Sequence, residues 1–129
     1  MKTEMLNLVY VGVGGLVGSI GRYLVAGAVY QIFPNSYFPL GTAVVNISGC
    51  FLIGFLSGLT ELRQLLSPEM RVFLLIGLLG GFTTFSTFGY ETIASMRSGV
   101  FLPALANVFV QVIVGLSAVW LGYNVTRYF

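Results

Sequence analysis

The sequence predicts an all-α integral membrane protein with four transmembrane helices, the third broken near mid-membrane. Three observations predict it. The 129 residues are 57% hydrophobic and only 8% charged, whereas soluble domains are roughly 25% charged. Four apolar segments are each long enough for the ~20 residues of a spanning helix, and short polar turns separate them. The third carries Gly80-Gly81-Phe82-Thr83-Thr84-Phe85-Ser86-Thr87-Phe88-Gly89, with two adjacent glycines and four hydroxyl residues near its middle.

The first segment runs from about Leu6 to Ile32 and closes in the turn cluster Phe33-Pro34-Asn35-Ser36. It is too long for a secretory apolar core and has no clear cleavage site, so it reads as a retained helix. The second runs from about Gly41 to Leu59, just after Pro39. A polar stretch, Thr60-Glu61-Leu62-Arg63-Gln64, then leads to Ser67-Pro68-Glu69. Ser67 as a cap with Pro68 in the first helical position starts the third segment, which continues to Met96. The fourth spans about Val100 to Tyr123, ahead of Arg127. Residues 1–129 form a single domain, with no extramembrane part large enough for an enzyme or receptor.

Glycines recur four apart: Gly14 with Gly18, Gly54 with Gly58, Gly77 with Gly81. Such pairs let helix backbones approach closely, so they predict a compact bundle and a homo-oligomer. Four spans put both termini on one side. Lys2, Arg63, Arg71 and Arg127 lie there; Arg97 lies on the other side, with Arg22 inside the first helix nearer that end. The bias leans towards a cytoplasmic N-terminus.

Several functions are excluded. The chain has no histidine, and its lone Cys50 has no internal disulfide partner. A second buried carboxylate to pair with Glu91 is lacking, as is any nucleophile triad, phosphate loop or metal-ligand cluster. The net charge of +2 is scattered, which argues against a nucleic-acid partner.

The functional information lies in polar residues at membrane depth, where burial is costly unless they are paired. The broken stretch has two readings. It is a small-residue packing surface, or a break whose freed backbone groups serve an ion. Asn46, about a turn into the second helix, is an interhelical hydrogen-bonding residue or a pathway donor. Asn107 and Gln111 share a face of the fourth helix that Gly115 continues, as a contact stripe or a donor track. Arg22 snorkels to the interface or draws anions into a vestibule. Glu91 pairs with an arginine or sits in a wet mouth. Phe85 and Phe88, three apart on one face, are packing residues or rings that offer electropositive edges to a small anion. A site without fixed charge also releases its ion, as conduction requires. This inventory of donors and ring edges favours a small anion.

The third-helix motif Gly80-Gly81-Phe82-Thr83-Thr84-Phe85-Ser86-Thr87-Phe88 with Glu91 resembles the signature of the Fluc (CrcB-type) fluoride channels. Gly41-Thr42 with Val45-Asn46 resembles the family's other motif, and Arg22 after a Gly-rich half-helix also fits. The resemblance covers the whole chain. It implies a passive fluoride-selective channel of the bacterial plasma (inner) membrane, conferring fluoride resistance. It also implies an antiparallel homodimer of oppositely inserted subunits with two pores. Phe85 and Phe88 would be the aromatic pore residues, Asn46 a fluoride ligand on the vestibule side, and Ser86 and Thr87 the hydroxyls beside the rings. The backbone carbonyls of Gly80 and Thr83 would hold a structural sodium ion at the dimer centre. In the fourth-helix polar track the matching residues are Asn107, Gln111 and Gly115, the last without a donor.

Two rival readings remain at this stage. A proton-coupled cation exporter needs a membrane carboxylate shared by proton and substrate, and Glu91 is the sole candidate. Replacing it by Gln should abolish coupled transport but leave a passive pore. A non-transporting assembly subunit, held by its glycine faces, would show no flux in liposomes.

Overall fold

The computed structural model describes residues 2–129, Lys2 by its backbone alone. Four helical spans are long and apolar enough to cross a membrane: Thr3–Ile32, Leu40–Glu61, Pro68–Arg97 and Phe101–Tyr128. In five pieces they are α1 (Lys2–Ile32), α2 (Leu40–Glu61), α3 (residues 68–82), α4 (Phe85–Arg97) and α5 (residues 101–125), with a last 3₁₀ turn at Thr126–Tyr128.

Local chemistry sets the ends. In the α1–α2 turn the Ser36 hydroxyl accepts from the Phe38 N–H at 3.2 Å and donates to the Phe38 carbonyl at 2.9 Å. Ser67 caps α3 as expected: its Oγ accepts from the Met70 N–H, and Pro68 occupies the first helical position. At the end of α2, Arg63 donates to the carbonyls of Thr126 and Arg127 at 3.0 and 3.2 Å. It thereby satisfies carbonyls that the last turn of the chain leaves open.

Two stretches are wound wider than an α-helix, Val72–Leu78 in α3 and Val110–Val114 in α5. Such π turns shift the face that follows and gather at functional sites. The first lies just before Gly80 to Thr84 and the second just before Gly115.

The break lies inside the stretch singled out in the sequence, but threonines make it. Gly80 and Gly81 remain helical, while Thr83 (ψ 159) and Thr84 (φ −151, ψ 113) are extended. Threonine's branched Cβ suits extended backbone, and the Thr84 hydroxyl caps α4 by accepting from the Thr87 N–H at 3.3 Å. Gly81 serves packing instead. A Cβ there would stand 2.5 Å from the Gly15 carbonyl oxygen.

The paired glycines are used within the chain. Gly14, Gly18, Gly77 and Gly81 let α1 lie backbone to backbone on α3. Gly54, Gly58 and Gly122 do the same for α2 on α5. The compact bundle they predict is observed. Since these faces are occupied inside one protomer, they carry no argument about oligomerisation. The core is correspondingly small-sided: Ala43, Val45, Leu79, Ala104 and Ala118 are its buried apolar residues. Large side chains such as Leu16, Leu24, Leu102 and Trp120 point outward, as lipid contact allows.

This packing predicts a contrast. Gly18→Ala places a methyl against the Leu78 carbonyl and should cost about 1–3 kcal/mol. Gly12→Ala, where nothing lies within 4 Å of the new carbon, should be neutral or slightly stabilising. Thermal unfolding of the two variants in detergent checks it.

Candidate functional site

Asn46 holds the break. Its Oδ1 accepts from the Thr84 N–H at 2.8 Å, and its Nδ2 donates to the Thr84 carbonyl at 3.0 Å. One side chain on α2 thus satisfies both backbone groups of a residue that has left the helix. The second hydrogen on Nδ2 goes to Gln111 Oε1 at 2.6 Å. From there a relay runs through the bundle. Gln111 Nε2 donates to Asn107 Oδ1 at 2.7 Å, Asn107 Nδ2 to Thr92 Oγ1 at 2.9 Å, and Thr92 Oγ1 to the Phe88 carbonyl at 2.8 Å. Asn107 is 1% exposed, a buried link rather than a lining residue. Only one of Gln111's two amide hydrogens has a partner among the described residues, so the other is open to a ligand.

Beside this relay lies a groove of about 340 Å³, lined by Asn46, Cys50, Gly80, Thr83, Phe85, Phe88 and Gln111 among others. The rings of Phe85 and Phe88 have centroids 5.5 Å apart and planes at 52°. A tilted pair of this kind can turn a ring edge, the positive part of the quadrupole, towards one point. Phe85 is 83% exposed; Ser86 and Thr87, the next residues of α4, are also exposed but do not line the groove. The Thr84 hydroxyl donates to Thr87 Oγ1 at 3.0 Å and lies 3.4 Å from Ser86 Oγ. Gly115 has no side-chain donor; Cys50 Sγ stands 3.4 Å from where its Cβ would be.

The carbonyls of Gly80 and Thr83 are freed by the same contacts. In an unbroken helix the N–H four residues on would close on each. Here the Thr84 N–H turns to Asn46 and the Thr87 N–H to the Thr84 hydroxyl. Neutral carbonyl oxygens at a break suit a hard alkali cation. Among the described residues no three His, Cys, Asp or Glu side chains gather as a metal site.

Glu91 lies farther along α4, and hydroxyls hold it rather than an arginine. Oε1 accepts from Thr42 Oγ1 at 2.8 Å and from Tyr30 OH at 3.0 Å. Oε2 is buried with no partner among the described residues. Arg22 stands apart: it lines no part of the groove and makes no ion pair or side-chain hydrogen bond among the described residues. It follows Gly21, which lies against the Phe82 ring, and so sits near the level of the break. Sequence reasoning missed Thr84, Thr92 and Tyr30 as functional partners. Thr84 and Thr92 had a signal, being polar within an apolar span. Tyr30 had none, because its partner Glu91 is 61 residues away.

A four-helix bundle with an uncharged donor relay and a ring pair beside a broken helix defines a small multi-pass membrane transport protein. Residues 9–123 match the family model described as CrcB-like protein, Camphor Resistance (CrcB), and the chain belongs to that family. It is 42% identical over 123 residues to the fluoride-specific ion channel FluC of Methylobacillus flagellatus, covering 95% of this chain and 96% of the relative. To the FluC of Nitratidesulfovibrio vulgaris it is 43% identical over 123 residues, covering 95% and 98%. To that of Geobacter metallireducens it is 44% identical over 124 residues, covering 96% and 99%. The resemblance drawn from the third-helix motif is borne out.

Asn46 is the residue to test for stability. Asn46→Ala strands the Thr84 N–H at membrane depth and should cost about 1–3 kcal/mol. Asn46→Asp keeps the acceptor for that N–H but turns a carboxylate oxygen towards the Thr84 carbonyl and Gln111 Oε1, so it should cost at least as much. Chemical denaturation in detergent, followed by circular dichroism, reads the difference.

Proposed function

We propose that this protein is a passive, fluoride-selective channel of a bacterial plasma membrane that lets cytoplasmic fluoride leave down its electrochemical gradient. The observation that carries this reading is the groove beside the break, where amide and hydroxyl donors and two phenyl rings meet without a fixed charge. The names of relatives that match along nearly the whole chain support the choice of ion. The protein is a transporter, not an enzyme. Hydrogen fluoride crosses lipid as a neutral weak acid and ionises inside, where the anion is trapped. A negative-inside potential drives that anion out through a passive pore, which confers resistance.

Of the residues assigned roles, Asn46, Gln111, Phe85 and Phe88 line the groove. Gln111 offers its open amide hydrogen, with Asn107 fixing its orientation from behind. Asn46 can reach the ion only by giving up its bond to Gln111, so ion binding and the relay compete. Phe85 and Phe88 present ring edges, and Ser86 and Thr87 replace lost water. Arg22 raises the local anion concentration on its side, and Glu91 stands at the mouth. The coupled exporter finds no support: Glu91 is tied to two hydroxyls and has no acidic partner.

The groove is open on one side, and Phe85 is too exposed to enclose an ion alone. A second copy, inverted about a two-fold axis in the membrane plane, closes it and produces two equivalent pathways. Near that axis the Gly80 and Thr83 carbonyls of both copies would hold a sodium ion. When bound, the ion supplies the positive charge that keeps two broken helices together.

Purified protein in liposomes should release fluoride but not chloride, without a proton gradient, as read by ion-selective electrodes. Phe85→Ile should slow fluoride release about two- to twelvefold, from the ~0.5–1.5 kcal/mol of one ring contact, while folding and inserting normally. Unchanged release in that variant would remove the ring-edge role. Light scattering in detergent should give a dimer, with a lower melting temperature when sodium is replaced by N-methylglucamine.

A further inference from the structure

We propose that Tyr30 is a positioning residue for the mouth of the pathway. From α1, which contributes nothing to the groove, its hydroxyl holds the Glu91 carboxylate off the anion's route. The inference rests on the channel reading above.

Three elements converge on Glu91. Tyr30 comes from α1, Thr42 from the first turn of α2, and Glu91 from the middle of α4. Thr42 lies one turn before Asn46, and Glu91 lies three residues after Phe88. The cluster is therefore the next layer along the same two helices beyond the groove. Thr42 is buried, which fixes the direction of its hydroxyl. The Tyr30 ring lies over Gly41: a Cβ there would come within 2.7 and 2.8 Å of its ring carbons. Close packing on Gly41 thus sets where the Tyr30 hydroxyl can point. It also gives a reason for glycine at that position, which the sequence alone did not supply.

The carboxylate is held in a costly way. Oε1 has two hydroxyl donors, while Oε2 is buried with none. A buried carboxylate oxygen without a partner is unfavourable, so the two hydroxyls keep the side chain where it is. Loss of one donor favours rotation of the carboxylate towards water. At the mouth that rotation brings a negative charge nearer the path of the anion.

The test is a double-mutant cycle on fluoride release from liposomes. Tyr30→Phe removes one oxygen and keeps the ring on Gly41. It should slow release on the order of fivefold, the effect of a unit charge moving a few ångströms nearer an anion at intermediate polarity. In the Glu91→Gln background the same substitution should change nothing, because the charge is gone. Equal slowing in both backgrounds would make Tyr30 a brace for the fold, and no slowing in either would remove it from the mouth; each overturns the proposal. A second measurement does not depend on conduction. The carboxylate infrared band of Glu91, isolated by difference from Glu91→Gln, should shift in Tyr30→Phe, and an unmoved band also overturns the proposal. A wild type that releases no fluoride sinks the channel reading and the mouth role with it. A conducting wild type with a fully active Tyr30→Phe sinks the mouth role alone.

Discussion

The structure depends on one constraint: a polypeptide may leave helical conformation at membrane depth only if other groups satisfy its backbone. Asn46 meets that demand at Thr84 with one acceptor and one donor. The Thr84 hydroxyl meets it at Thr87. Once these bonds are made, the carbonyls of Gly80 and Thr83 lose their helical donors and the rings of Phe85 and Phe88 are placed at the start of a new helix. The structural task and the candidate site are thus one set of contacts. Changing Asn46 must disturb both, so loss of transport in an Asn46 variant needs a stability measurement beside it.

Rigid surroundings make such a break tolerable. Between helices in lipid the hydrophobic effect contributes little, and close van der Waals packing takes its place. Glycine on α1 against α3, and on α2 against α5, brings backbones together on both sides of the groove. The break is therefore framed by two tightly joined helix pairs. Beside the groove the contacts are polar, from Asn46 through Gln111 and Asn107 to Thr92 and the Phe88 carbonyl. Dense packing holds the walls, and the relay meets the groove at Asn46 and Gln111, with Asn107 and Thr92 buried behind them.

The two charged residues nearest the pathway are treated differently. Glu91 is tied down by hydroxyls from two other helices, whereas Arg22 remains outside the groove without a partner among the described residues.

The sequence by itself determined the membrane class, the four spans, the Ser67 cap and the position of the break to within a few residues. These depend on composition and on local backbone preference, which a single stretch of chain carries. It also contained the candidate residues, because polar groups at membrane depth are conspicuous against so apolar a background. Only the tertiary structure decided that threonines rather than glycines leave the helix, since that depends on Gly15 facing Gly81 and Asn46 facing Thr84. Tertiary structure alone also decided that the glycine pairs are used up inside one chain, that Asn107 is a buried link, and that Tyr30 reaches Glu91. Each of these is a contact between residues distant in sequence. The direction of a side chain across a bundle is set by how helices pack, and local pattern does not encode it.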